Sequence, residues 1–93
     1  MDSGAILLHE VLVYRALRQN GRRWISDRQL ANRIKGVSAR LVRAQCLKLL
    51  KLGLVEQPAV LPARRYRLSA RACGDHLYVR QLEHATAMFG LFE

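Results

Sequence analysis

The side chains of this sequence best equipped for chemistry are its arginines. Thirteen of the sixteen basic residues are Arg and three are Lys. A guanidinium is planar, holds its charge at physiological pH and presents parallel N–H donors. It therefore grips two acceptors at once, on a phosphate or on the edge of a guanine. One stretch combines this chemistry with small neighbours: Ser38-Ala39-Arg40, followed by Arg43-Ala44. Residues three apart are neighbours on one face of a helix, so Arg40 and Arg43 would stand side by side. Ser38, Ala39 and Ala44 leave room for that face to approach a partner closely.

Nothing equivalent supports bond-making, and the sequence predicts a protein that is not an enzyme and needs no cofactor. His9, His76 and His84 are scattered. Cys73 and His76 are three apart with His84 farther along, but the set is incomplete for a metal, so surface or interface histidines are expected instead. Cys46 and Cys73 form no C-x-x-C pair and read as buried free thiols in a reducing compartment. There is no phosphate-binding glycine loop and no H-E-x-x-H motif.

The charge is unevenly spread. Between Arg15 and Arg71 lie fifteen basic residues and two acidic ones, Asp27 and Glu56, a surplus of +13. The two ends together carry one basic residue, Arg80, and five acidic ones, a surplus of −4. A basic surface of this kind suits a polyanion. The length of 93 residues fits a single domain over 1–93 with a thin core. A composition 51% hydrophobic and 25% charged is that of a globular chain. No apolar run approaches the ~20 residues that span a bilayer. Met1-Asp2-Ser3-Gly4 lacks the basic start of a signal peptide, so a soluble, cytoplasmic protein is expected.

The elements that would position the arginines follow from periodicity and caps. A first helix over 4–20 is apolar on more than one stripe, as in a central or interface helix, and ends at Asn20-Gly21. In the link that follows, Trp24 and Ile25 would pack as a lid or short strand. A second helix over 26–35 starts at Ser26, whose capping box is completed by Gln29. Lys35-Gly36-Val37 forms a turn, with Gly36 supplying the unusual backbone angles. A third helix over 38–52 starts at Ser38 and stops at Gly53. Its residues Val42, Cys46 and Leu49, spaced by four and three, make one inward stripe that turns Arg40, Arg43 and Ala44 outward. A hairpin over 54–68 comprises Leu54–Gln57, a proline-containing loop over Pro58–Pro62, and Arg64–Leu68 with Tyr66 and Leu68 on one side. A last helix over 70–89 repeats Leu77, Tyr78, Leu82, Ala85, Met88 and Phe89 at helical spacing. The fold class is mainly α with a small β-hairpin.

Helix, helix, turn, helix, hairpin, helix resembles the winged helix-turn-helix superfamily. Leu30-Ala31-Asn32-Arg33-Ile34 followed by Gly36-Val37-Ser38 resembles the junction leading into the recognition helix of bacterial regulators. Leu49 and then Gly53-Leu54-Val55-Glu56 resemble the entry to the wing. The run from Arg64 through Ser69 to Gly74 is similar to the return strand and next helix start of MarR/ArsR-like transcriptional regulators. The resemblance covers roughly Ser26 to Gly74. The chain departs from the pattern in being short, and in having Leu61-Pro62-Ala63 where an acidic residue commonly precedes the wing arginine.

That resemblance implies a sequence-specific double-stranded DNA-binding protein, nucleoid-associated, with the 38–52 helix in the major groove and its N-terminal end nearest the bases. Ser38, Ala39, Arg40, Arg43 and Ala44 are the expected contacts. Arg40 and Arg43 would either read guanine, at ~1–3 kcal/mol of discrimination each, or meet only phosphate. Ser26, Arg28 and Arg33 are phosphate candidates, with capping a competing role for Ser26. Arg64 and Arg65 would reach the minor groove or an adjacent phosphate, or stay solvated on the wing. Surplus apolar surface at both ends implies a homodimer, through Leu7, Leu8, Val11, Leu77, Tyr78, Leu82, Met88 and Phe89. The leading expectation is a dimeric repressor or autoregulator. The alternatives are a plasmid or phage partition, replication or chromosome-architecture factor, and a winged helix used as a protein-interaction module.

Overall fold

Two serines start helices as their sequence contexts predict. The Ser26 Oγ accepts the Gln29 N–H at 3.1 Å while the Gln29 side chain accepts the Ser26 N–H at 3.0 Å, the reciprocal capping box. The Ser38 Oγ accepts the Leu41 N–H at 3.2 Å. In the computed structural model, which describes residues 6–59, 64–70 and 76–88, these caps open α2 (Asp27–Arg33) and α3 (Ala39–Lys51). The remaining elements are α1 (Leu8–Asn20), β1 (Ile25–Ser26), β2 (Val55–Glu56), β3 (Arg65–Leu68) and α4 (Leu77–Met88). The protein is mainly helical with a small antiparallel sheet.

Gly36, in the turn between α2 and α3, has φ +83°, in the left-handed region. A Cβ there would meet nothing within 4 Å. The cost of Gly36→Ala is therefore the backbone conformation alone, about 1–2 kcal/mol. Thermal unfolding is expected to shift down by roughly 5–10 °C, with helical content at low temperature unchanged.

α1 is the element around which the others pack; it contacts α2, α3, α4 and β3. This explains why it is apolar on more than one stripe: Val11, Val13, Tyr14 and Leu17 are all buried, toward different neighbours. The helix begins at Leu8, later than the expected start at residue 4. Glu10 sets that boundary, because its carboxylate reaches back to accept the Leu7 N–H at 3.0 Å. Residues 4 and 5 lie outside the described residues. Leu30 of α2, Val42, Cys46 and Leu49 of α3, and Val79 and Leu82 of α4 are each fully buried and complete the helical part of the core.

The sheet has three strands in the order β1-β3-β2, where a two-stranded hairpin is expected. β2 pairs with β3 through Val55↔Leu68 and Glu56↔Arg67, as the hairpin requires. β1 adds to the other edge through Ile25↔Tyr66 and Ser26↔Arg65. Of the two alternatives expected for Trp24 and Ile25, a lid or a short strand, the strand is present at Ile25; what was not expected is its pairing with β3. The extended conformation of β1 is fixed by the free edge of β3 and by Ile25, whose side chain is buried in the core. Arg22 reinforces the closure by donating to the Leu68 carbonyl at 3.1 Å, and the Arg67 guanidinium stacks 4.1 Å from the Trp24 ring centre.

The last helix also starts later than expected, at Leu77 instead of residue 70. Ser69 and Ala70 are not helical. The Ser69 N–H donates to the Leu54 carbonyl at 3.0 Å and its Oγ to the Gly53 carbonyl at 2.7 Å, so Ser69 ties off the sheet. Residues 71–75 and Phe89 lie outside the described residues.

Candidate nucleic-acid interface

The inward row of α3 determines what its outer face presents. Val42, Cys46 and Leu49 are 0% exposed, and Ser38, Ala39, Arg40, Arg43 and Ala44 all lie on the exposed side. The acids of the described residues are engaged elsewhere. Glu10 pairs with Lys48, Glu83 with Arg18, Glu56 with Arg22 and Arg67, and Asp27 with Arg64. Neither Arg40 nor Arg43 has an acidic partner among the described residues.

The other expected contacts separate into two groups. Ser26, Arg28 and Arg65 line one depression together with Trp24 and Gln29, a consequence of the Ser26↔Arg65 register. Arg64 joins this group through Asp27 at the start of α2. Burial raises the Tyr66 hydroxyl above its ordinary value, Cys46 and Asp27 add to that, and the positive charges of Arg43 and Arg64 oppose it. The start of α2 and the start of β3 thus converge. Arg64 is held loosely, 3.9 Å from Asp27 with its side chain 60% exposed. Arg33 is the exception. It sits at the far end of α2, where its Nη1 donates to the Asn20 Oδ1 at 3.0 Å.

Of the thiols, Cys46 is a core residue; burial pushes it up to about 12, so it carries no thiolate at neutral pH. Cys73 lies outside the described residues. No group of three or more His, Cys, Asp or Glu side chains among the described residues could hold a metal ion.

A buried polar network, not expected from the sequence, joins three helices. The Tyr78 hydroxyl of α4 donates to the Glu10 carboxylate of α1 and accepts from the Gln45 amide of α3 at 2.9 Å. Lys48, also on α3, donates to Glu10 at 3.0 Å and stands 4.6 Å from the Tyr78 ring centre. Its only signal in the sequence is a polar Gln45 beside the inward stripe of α3 and an acid within an apolar α1. Burial alone would raise the Glu10 carboxyl. The hydrogen bonds from Tyr78, the Leu7 N–H and Lys48, with the charge of Lys48, outweigh burial and hold it below its ordinary value of 4.5. A carboxylate lowered in the folded state binds fewer protons there than in the unfolded chain. Its stabilisation is therefore complete above about pH 5 and lost as pH falls through the folded value. Glu10→Gln is expected to cost about 2 kcal/mol at neutral pH. The gap in urea midpoint between wild type and variant should narrow below about pH 4.5.

This network also corrects the expected interface. Val11 and Leu82 are fully buried and Tyr78 is 9% exposed, all within the single chain. They are core residues, because α1 and α4 pack on each other and share the network. Leu7, Leu8, Leu77 and Met88 are exposed at 56%, 49%, 69% and 73%. Leu77 and Met88 flank an open groove with Ile6, Arg80, His84 and Ala85.

No family model, curated protein or solved structure matches the chain. No helix among the described residues is long and apolar enough to cross a membrane. Fold and surface together define a mainly helical protein with a three-stranded sheet and exposed arginines on α2, α3 and β3.

Proposed function

We propose that this protein is a sequence-specific double-stranded DNA-binding protein of the winged helix-turn-helix class, with α3 in the major groove and the β2–β3 hairpin as the wing. One observation carries the reading: Arg40 and Arg43 stand exposed on the outer face of a helix whose other face is locked in the core, with no acid to neutralise them among the described residues. A major groove admits one helix, and arginine is the side chain that reads guanine or grips phosphate there. Arg28, Arg64 and Arg65 beside this face supply backbone contacts of the kind that fix register. In this reading the protein is a nucleoid-associated transcriptional regulator, a repressor or autoregulator resembling the MarR/ArsR-like group.

The test is titration with duplex DNA from its own promoter against a scrambled duplex over a range of salt. Affinity for the promoter should exceed that for the scrambled duplex and fall steeply with salt, as released counterions require. Equal affinities would remove sequence specificity, and binding insensitive to salt would remove DNA as the partner. The exposed Leu7, Leu8, Leu77 and Met88 support a homodimer through the terminal helices. A two-fold dimer sets two α3 helices about one DNA turn apart and favours a palindromic site. A monomer mass in solution and on DNA would remove that part of the proposal.

A further inference from the structure

The basic surface does not stop at α3. Arg23, Gln29, Asn32 and Arg33 line a second depression, which meets the one holding Arg28 and Arg65 at Trp24 and Gln29. We infer that this Trp24-centred cleft is a second DNA-backbone site, in which Arg23 and Asn32 take a phosphate of the duplex outside the stretch that α3 covers. The inference rests on the DNA-binding reading and adds residues that the helix-turn-helix pattern does not point to.

Three features make the cleft a built site. Asn20, itself buried, positions both of its arginines: its Nδ2 donates to the Arg23 carbonyl at 2.7 Å, and its Oδ1 accepts from Arg33. The Arg23 guanidinium is exposed with no hydrogen-bond or acidic partner among the described residues, whereas Arg67, on the Trp24 ring, is neutralised by Glu56. Gln29 and Asn32 are exposed amides one helical turn apart on α2, able to donate to phosphate oxygens. The nearest acid of α2, Asp27, is turned inward; its side chain is 11% exposed, accepts the Arg28 N–H and pairs with Arg64. The depression measures about 390 Å³, room for a phosphodiester and several waters at ~30 Å³ each.

Phosphate contacts position a protein without reading sequence. Arg23→Ala should therefore lower affinity by roughly three- to tenfold for promoter and scrambled duplexes alike, and should reduce the salt slope by about one. Asn32→Ala should give a smaller loss with the slope unchanged. Trimming the duplex at its flanks should weaken the wild type and leave the Arg23→Ala variant nearly unaffected. Thermal unfolding of each variant shows whether it is folded; the Arg23 side chain makes no hydrogen bond or ion pair among the described residues that its loss would remove. If Arg40→Ala with Arg43→Ala weakens binding while Arg23→Ala matches wild type in affinity and slope, the DNA reading stands and the second site is wrong. If the wild type binds no duplex, both fall.

Discussion

Replacing Arg40 and Arg43 together by alanine is expected to weaken binding to a specific duplex by about 30- to 1000-fold, equivalent to about 2–4 kcal/mol for two bidentate contacts. Both side chains are exposed and bond to no described residue, so the fold should tolerate their loss. Fluorescence anisotropy measures the affinity and circular dichroism checks the helices. The pattern of the loss separates two chemistries. If the arginines read guanine, the promoter loses most and the ratio of promoter to scrambled affinity collapses. If they meet phosphate, both duplexes lose equally and the salt slope falls by about two. An affinity equal to wild type would mean that α3 does not face DNA. Arg40→Lys with Arg43→Lys retains the charge but not the fork. It should restore phosphate gripping and leave guanine reading impaired.

Leu49→Ala should have the largest effect on stability. Leu49 is fully buried on the inward row of α3. Its truncation removes transfer free energy and leaves a cavity, about 2–5 kcal/mol in total. A domain of this size holds only about 5–10 kcal/mol, so the midpoint of thermal unfolding should fall by roughly 10–20 °C or more. DNA binding should fail near the lowered midpoint although Leu49 lies on the inner side of α3. The control is on the same helix. Leu47 is 45% exposed, and Leu47→Ala should change stability by less than about 0.5 kcal/mol. Equal losses at the two positions would show that the inward row does not hold α3.

The legible parts of the fold share a property: each is decided within a few residues. Ser26 with Gln29, Ser38 with Leu41, and Gly36 act through bonds or angles no more than one helical turn away. The inward stripe of α3 follows from the helical repeat alone, and with it the outward direction of Arg40 and Arg43. Apolar spacing alone places the starts of α1 and α4 too early, because it continues past a helix end. Glu10 bonding back to Leu7, and Ser69 spent on Gly53 and Leu54, override it.

Long-range pairing was not legible. β1 is a strand because β3 has a free edge thirty-nine or more residues later in the chain, where Tyr66 and Arg65 meet Ile25 and Ser26. Apolar periodicity gives Val11, Tyr78 and Leu82 a side of a helix but not the neighbour on that side. Packing between α1 and α4 makes them core and leaves Leu7, Leu8, Leu77 and Met88 outside. The sequence by itself determined the helix caps, the turn at Gly36, the outward arginines of α3 and the basic middle of the chain, because charge, capping and periodicity are local. Only the tertiary structure decided which cations keep their charge free. Glu10, Glu56 and Glu83 each find their partners across the fold, so Lys48, Arg67 and Arg18 are neutralised while Arg23, Arg40 and Arg43 are not.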